Sequence, residues 1–475
     1  MKALKYLVLT SALAAALTGS AFATNTLVVV HLVGAPAFRQ PVNDAIETVV
    51  ESFPQTGPNA AGLISSGNAI PAAGHRLVGS TTETAKANQW LIPGFSSGID
   101  LEINASYTGS TAGVESVAGQ SKTQKFITNG TGTVSSPLGS QSVATVYSPD
   151  SNWITASDTF QGSTLFANGL TTFYGAVSHG SPFTATYNTL TADLGNSPGG
   201  VEVYHWVVSP GAPSRFSNIT TAQANLLYSL GSLPLSFFTG NNSDEGTTVY
   251  ALSRDAGSGA RTVALAEIGV KPAGTNNPIL SFVPTISSTG TLDSQGDVIG
   301  GTITAINEAP VGTIPSTGIY EPAGDTGYAS FGTAVNGGST ADNSTSSLNY
   351  GLLQAITATP PSGALFVTYL DNDDSNEALQ NGISGAGSAT TGAKVLSYNG
   401  VTAGTTDGAS DPAVSEGEYT FWSYESFLAP TSQGSTSAAF ETDVEAQFPA
   451  FATLAQTTLN VSRSADGGPL APGGL

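Results

Sequence analysis

The chain has 475 residues, no cysteine, and 34 acidic against 13 basic side chains, for a formal charge of −21. The lack of cysteine excludes disulfides, thiolate metal sites, cysteine nucleophiles and a lipidated cysteine tether, and the acidity argues against nucleic acid and anionic membrane surfaces as partners. Charged residues make up 10% of the chain, against about 25% in an average soluble domain, so small polar residues and long loops build a surface suited to solubility outside the cell.

In chain order, Lys2 and Lys5 precede an apolar run from Leu7 to Leu17 and then Ala21-Phe22-Ala23. Basic start, short apolar run and small-x-small end predict a cleaved secretion signal over residues 1–23. The run is shorter than the roughly 20 apolar residues needed to span a bilayer, and no other stretch is long and apolar enough. The expected mature chain is exported without a membrane anchor, with 34 acids against 11 bases and a net charge of −23.

Thr26 to Val33 is a β-branched run suited to a strand buried on both faces, ending at Gly34-Ala35-Pro36. Val42, Ile46, Val50 and Phe53 then recur at helical spacing. A second unit repeats the pattern: Ile99, Leu101, Ile103, Ala105 and Tyr107 alternate as a strand, Gly109-Ser110-Thr111-Ala112-Gly113 turns, and Val114 to Phe126 reads as helix. Trp153-Ile154-Thr155-Ala156 is a short strand delivering Ser157 and Asp158 at its carboxyl end, and Val201 to Val208 is another. Thr220-x-x-Gln223 forms a capping box ahead of a helix from Ala224 to Leu230. Thr247 to Leu252 gives a strand leading into Arg254-Asp255-Ala256-Gly257-Ser258-Gly259, after which Ala260 to Ile268 reads as helix. From about Ser287 to Ser347 the chain is Gly/Ser/Thr-rich, with loops and irregular strands expected. Strands at Ala364 to Leu370, Lys394 to Val401 and Tyr419 to Tyr424, and a helix carrying Phe440, Val444 and Phe448, complete an α/β pattern.

Three strands end in small-residue loops that open helices: Gly34 to Phe38, Gly109 to Gly113, and Arg254 to Ala260. Helix N-termini present unpaired N–H groups and a positive dipole end, so several aimed at one point form an oxyanion site. In open α/β sheets such loops lie at the carboxyl ends of strands, where ligands bind.

Ser253-Arg254-Asp255-Ala256-Gly257-Ser258-Gly259-Ala260-Arg261 resembles the anion-binding loop of the phosphate-binding proteins that serve ABC importers. Gly34 to Phe38 resembles that family's first loop, Gly109 to Val114 its Gly-Ser-Ser-Gly-Gly-Val segment, and Ala156-Ser157-Asp158 the strand end that supplies a ligand-facing carboxylate. Val201 to Gly211, Ala364 to Tyr369 and Gly417 to Phe421 follow in the family's order. The resemblance implies a two-lobed type II periplasmic binding protein, each lobe a mixed sheet flanked by helices, with lobe one formed by 24–204 plus 370–475 and lobe two by 205–369. It also implies capture of phosphate or a related oxyanion in the interlobe cleft, outside the cytoplasm in the periplasm or in secreted form. The expected partner is a membrane ABC permease, and the expected protein is a monomeric non-enzyme with no cofactor, no metal, no catalytic residue and no nucleic-acid partner.

By that resemblance Ser110 and Ser258 donate hydroxyls, Phe38 and Gly259 donate N–H groups, and Arg254 clamps two ligand oxygens. Ala37 and Ala260 stand where the family places hydroxyl donors, so only their backbone N–H groups remain, with Arg39 and Arg261 next to the gaps. Asp158 beside an anion is repulsive unless the ligand has a proton to donate, which phosphate has at neutral pH and sulfate lacks. The alternative for Asp158 is an Asx cap on the Thr159 to Phe166 segment; for Arg254 it is a surface ion pair. The alternative functions are a secreted phosphatase on the same cradle and a surface or matrix protein reusing the fold.

Other signals are weaker. Gly94-Phe95-Ser96-Ser97-Gly98 has the Gly-x-Ser-x-Gly pattern but precedes a strand, not the helix a nucleophile elbow needs. His31, His75, His179 and His205 are isolated, without zinc spacing. Asp371 to Glu377 lacks the EF-hand glycine and reads as a solvated turn. Trp153, Trp206 and Trp422 sit in predicted strands as core.

Overall fold

The computed structural model describes residues 28–49, 89–96, 99–107, 109–117, 124–127, 133–136, 139–141, 143–146, 152–164, 190–192, 199–255, 257–270, 279–287, 291–292, 298–309, 312–314, 319–321, 327–328, 351–372, 375, 378, 392–405, 411–430, 433–450, 452 and 454–473. The expected leader, His75, His179, Ser97-Gly98 and most of the Asp371 to Glu377 run lie outside the described residues.

In chain order the elements that place the site are β1 (Val28–Gly34), α1 (Arg39–Val49), β2 (Gln89–Ser96), β3 (Ile99–Ser106), α2 (Ser110–Val117), β4 (Gln124–Ile127), β5 (Val143–Val146), β6 (Trp153–Ser157), β7 (Leu190–Ala192) and β8 (Gly200–Val208). They continue with α3 (Thr221–Leu230), β9 (Ser232–Pro234), β10 (Thr248–Ala251), α4 (Gly259–Glu267), β11 (Phe282–Ile286), β12 (Ile303–Glu308), α5 (Leu352–Thr357), β13 (Ala364–Asp371), β14 (Lys394–Tyr398), β15 (Trp422–Pro430), α6 (Ser435–Gln447) and a terminal pair, β16 (Val461–Ser462) and β17 (Ala471–Pro472).

One mixed sheet runs in the order β9-β10-β13-β8-β15-β6-β1-β3-β2. β1 pairs parallel with β3 and β6, and β10 parallel with β13, the arrangement expected where helices connect successive strands. β8 and β15 join the two groups. Gly200 to Val203 pair antiparallel with Glu425 to Trp422, and from Tyr204 onward β8 pairs with β13. β15 continues past Glu425 to pair with β6. All nine residues of β8 and all eight of β13 are buried, which is why their sequences read as continuous apolar runs without alternation.

The buried apolar side chains fall into two clusters. One contains Val30, Leu32, Phe38, Val42, Ile46, Leu101, Ile103, Phe427, Phe440, Val444 and Phe448. The other contains Trp206, Leu227, Val249, Val263, Leu352, Phe366 and Trp422. Leu396 and Tyr398 of β14, which pairs with β8, pack in the second cluster, as do Val414 and Phe421.

The capping box closes as expected: the Gln223 amide donates to Thr220 Oγ1 at 3.2 Å and the Thr220 amide to Gln223 Oε1 at 2.9 Å. Several boundaries differ: the helix expected to open at Val114 opens at Ser110, and the strand expected from Lys394 to Val401 ends at Tyr398. The helix expected from Val114 to Phe126 ends at Val117, and Gln124 to Ile127 form β4, paired antiparallel with β5. Phe126 and Ile127 gain a ladder partner that the local pattern does not contain. The strand expected from Tyr419 begins at Trp422, after the left-handed Gly417. Among the described residues of the Gly/Ser/Thr-rich region, β12 pairs antiparallel with β11, which precedes the region, and the other strands form short two-stranded pieces.

Candidate anion site at the strand ends

Two glycines bring the loop ends together. Gly34, at φ +140°, closes β1 against β6: a Cβ there would fall 1.9 Å from the Ala156 carbonyl oxygen. The Ala35 amide donates to that same oxygen at 2.9 Å, and the Gly109 amide donates to Gly34 O at 2.8 Å. Gly109, at φ +128°, faces the Gly257 carbonyl, where a Cβ would fall 2.2 Å away, and the Ala112 amide donates to Gly257 O at 3.3 Å. Side chains cannot enter either contact, and both φ values disfavour any residue but glycine. The end of β1, the end of β6, the first turn of α2 and the loop into α4 therefore meet at one place.

Asp158 stands at the centre, 2% exposed. Its Oδ2 accepts from the Tyr204 hydroxyl at 2.7 Å, and its amide donates to Ser110 Oγ at 3.1 Å. Its Oδ1 is buried without a hydrogen-bond partner. That oxygen lies against the first residue of α4: a Cβ on Gly259 would fall 1.6 Å from Asp158 Oδ1 and 2.7 Å from Ser110 Cβ. Burial pushes the Asp158 carboxyl up, against the opposing pull of the Ser110 and Tyr204 hydrogen bonds and the Arg254 charge.

The start of α4 is capped by Ser258, whose Oγ accepts from the Arg261 amide at 3.2 Å, while the Thr262 amide donates to Ser258 O at 3.3 Å. Gly259 and Ala260 supply the next two N–H groups, for which helix geometry offers no intrahelical acceptor, at the positive end of the helix dipole. Arg254 is 1% exposed; its Nε donates to Tyr328 O at 2.9 Å and its amide to Tyr369 Oη at 3.1 Å. Arg261 is also buried, with Nη1 3.4 Å from Arg254 O. The charges of both arginines act on the Tyr369 hydroxyl, so the two cations share one buried neighbourhood. Burying like charges together is costly unless anionic groups accompany them.

The structure brings Ser110, Asp158 and Gly259 into contact, with Arg254, Ser258 and Ala260 in the same loop and helix start. Ala37 and Phe38 stand apart from that contact. They belong to a 3-10 turn, Pro36–Phe38, in which the Phe38 amide donates to Ala35 O at 3.2 Å, and Phe38 packs edge-on to Phe448 in the first core cluster. The amide expected to face a ligand is thus taken up by its own turn. Asp158 caps no helix: the 3-10 turn that follows, Gln161–Ser163, has Phe160 at its cap position. Arg254 is not a surface residue. The residue missed on sequence is Tyr204, which lies in a strand buried on both faces and therefore gives no alternation to mark where its hydroxyl points.

Among the described residues no group of three His, Asp or Glu side chains is placed to hold a metal ion, and no helix is long and apolar enough to cross a membrane. His31 and His205 are buried in β1 and β8; His31 stacks on Trp153, and His205 Nε2 lies 2.9 Å from Asn372 Oδ1. Gly94 to Ser96 lie in β2, away from any helix start.

No family model and no curated protein matches the chain. Among solved structures it is similar to a protein assigned as a phosphate ABC transporter substrate-binding protein, with bound phosphate, from Clostridium perfringens: TM-score 0.33 at 10% identity, over 88% of this chain and 93% of that one. It is similar as well to an ABC-type phosphate transport receptor from Vibrio cholerae, with TM-score 0.32 at 10% identity over 88% and 94%. Both likenesses are too distant to carry a ligand or a mechanism to this chain.

Proposed function

We propose that this protein is an exported solute-binding protein that holds a protonated tetrahedral oxyanion, inorganic phosphate in the first instance, for delivery to a membrane ABC permease. The observation that carries the reading is Asp158 Oδ1: a buried acceptor with no donor, pressed on the first residue of α4 and next to Ser110 and Arg254. Helix N–H groups, a serine hydroxyl and a guanidinium suit an anion, and a lone carboxylate oxygen among them suits one that brings a proton. Leaving such an acceptor unpaired costs about 1–3 kcal/mol, which a ligand without a proton cannot recover.

In this reading the cleft lies between a lobe built on the β1, β3, β6, α1 and α6 cluster and a lobe built on the α3, α4, α5, β10 and β13 cluster. β8 and β15 are the crossing strands about which the cleft opens. Ser110, Ser258, Arg254, the Gly259 and Ala260 amides and Asp158 form the ligand shell, and Ala37 and Phe38 shape it through Gly34.

Calorimetric titration with inorganic phosphate and with sulfate at neutral pH tests this. Phosphate should bind and sulfate should not, and Arg254→Ala should weaken phosphate by about 1.5–3 kcal/mol, the range for a hydrogen bond to a charged group. Absence of heat with either anion at millimolar concentration would sink the reading.

A further inference from the structure

Residues 463–467, near the C-terminus, reach both sides of the candidate site. Asp466 is 7% exposed. Its Oδ2 accepts from the Phe160 amide at 3.0 Å, its own amide donates to Ser163 Oγ at 3.3 Å, and its Oδ1 is buried without a hydrogen-bond partner. Phe160 and Ser163 bracket the turn that follows Asp158. The next residue, Gly467, lies on the last turn of α4: a Cβ there would fall 2.3 Å from Ala266 C and O and 2.7 Å from Glu267 N. Arg463 places its guanidinium 3.9 Å from the Trp422 ring centroid, 3.4 Å from Glu267 Oε2 and 2.6 Å from Thr420 O. The same short segment fastens the turn after Asp158 to the far end of the helix whose first residue touches the Asp158 carboxylate.

We propose that Asp466 is a positioning residue of the anion site, holding the Asp158 turn against α4 and, through its own charge, setting how strongly the site takes an anion. The inference rests on the oxyanion reading above. Asp466 is faced by Asp158 from the end of β6, by Ser163 and the Phe160 amide from the turn, and by Arg463 on its own segment; Glu267 of α4 and Tyr424 of β15 face Arg463 in turn. Burial, with the Asp158 charge adding to it, pushes the Asp466 carboxyl up to about 7, against the two hydrogen bonds and Arg463. Below that pH Asp466 is neutral. Above it, a second buried negative charge faces the site and opposes an anion.

Dissociation constants for inorganic phosphate are to be measured for the wild type, Asp466→Asn and Asp466→Ala from pH 6 to pH 8.5, each variant as a ratio to wild type at the same pH, so that the ligand's own titration cancels. Asparagine can still accept from the Phe160 amide, so Asp466→Asn should bind within about 2-fold of wild type at pH 6. At pH 8.5 it should bind tighter, on the order of 10-fold for the removal of one nearby buried charge. Asp466→Ala should bind about 10-fold more weakly at pH 6, the loss expected when a buried positioning hydrogen bond goes. Amide hydrogen exchange without ligand should be faster at Phe160 and Gly259 in the alanine variant than in the asparagine variant. A flat Asp466→Asn ratio across the pH range overturns the proposal, and so does exchange that is equal in the two variants. If the alanine variant does not fold, the pH ratio of the asparagine variant decides. If the wild type binds no phosphate, the oxyanion reading fails by itself, and the exchange comparison still decides whether Asp466 holds the turn.

Discussion

Substituting Gly259 by alanine tests the contact on which the site rests. At an ordinary helical position alanine is favoured over glycine by about 1 kcal/mol, so a helix start with no neighbour would be unaffected or stabilised. Here a Cβ would lie 1.6 Å from Asp158 Oδ1 and 2.7 Å from both Asp158 Cγ and Ser110 Cβ, and the carboxylate must withdraw by about 1.4 Å to reach the 3.0 Å that real Cβ contacts respect. Asp158 is not free to slide, because Tyr204 holds Oδ2 and its amide is bound to Ser110 Oγ. Overpacking of this kind costs about 1–3 kcal/mol, and breaking the Tyr204 bond to a buried carboxyl adds about 1.5–3 kcal/mol. After the helix gain is subtracted, Gly259→Ala should lose about 2 kcal/mol or more, read by urea denaturation, and should weaken phosphate binding in the same protein. In an Asp158→Ala background the cost of Gly259→Ala should fall by about 1 kcal/mol or more, to what the 2.7 Å approach to Ser110 Cβ leaves, because residues in contact couple and removing one partner removes the coupling. Gly246→Ala, with nothing within 4 Å of its Cβ, is the neutral control. A Gly259→Ala protein as stable as wild type that binds phosphate equally would refute the placement of Asp158 on α4.

Two further outcomes follow from the same side chains. Asp158→Asn replaces an acceptor-only oxygen with an amide that can donate, so sulfate should begin to bind and the phosphate preference should fall by about 10-fold or more, measured by competitive titration; unchanged discrimination would remove Asp158 from the specificity argument. His205 is buried in β8, and burial, partly offset by its contact with Asn372, lowers its titration to about 4. In the unfolded chain it titrates near 6.5, so between those values the unfolded state binds more protons and stability is lost as the pH falls from 6.5 toward 4. The loss is about 3 kcal/mol at most. His205→Gln should remove that component, seen as a shallower decline than wild type in denaturation curves at pH 7 and pH 4.5; equal declines would refute it. The buried carboxyls with raised titration act in the opposite sense in both proteins and cancel from the comparison.

What could be read from the sequence was whatever is decided locally. The strand that delivers Asp158 and the Thr220 cap with Gln223 are written within a few residues each, and the structure places them as their local chemistry requires. Where a residue's fate depends on a distant partner, the local pattern is silent or misleading. The helix expected to run on to Phe126 is overridden by the pairing of β4 with β5. Phe38, expected to lend an amide to the ligand, lends it to the Ala35 carbonyl within the Pro36–Phe38 turn. The segment Arg463-Ser464-Ala465-Asp466-Gly467-Gly468-Pro469 has a composition suited to solvent, yet Arg463 and Asp466 are buried, Arg463 against Glu267 of α4 and Asp466 on the Phe160 amide. The burial of these two side chains follows from Trp422, Glu267 and Phe160, with 196 positions separating Arg463 from Glu267 and 306 separating Asp466 from Phe160. Such separations are the physical reason that the strand-end loops can be read from the sequence while the packing of Arg463 and Asp466 cannot: the loops are specified by backbone geometry, and those contacts only by the folded sheet that brings β6, α4 and residues 463–467 together.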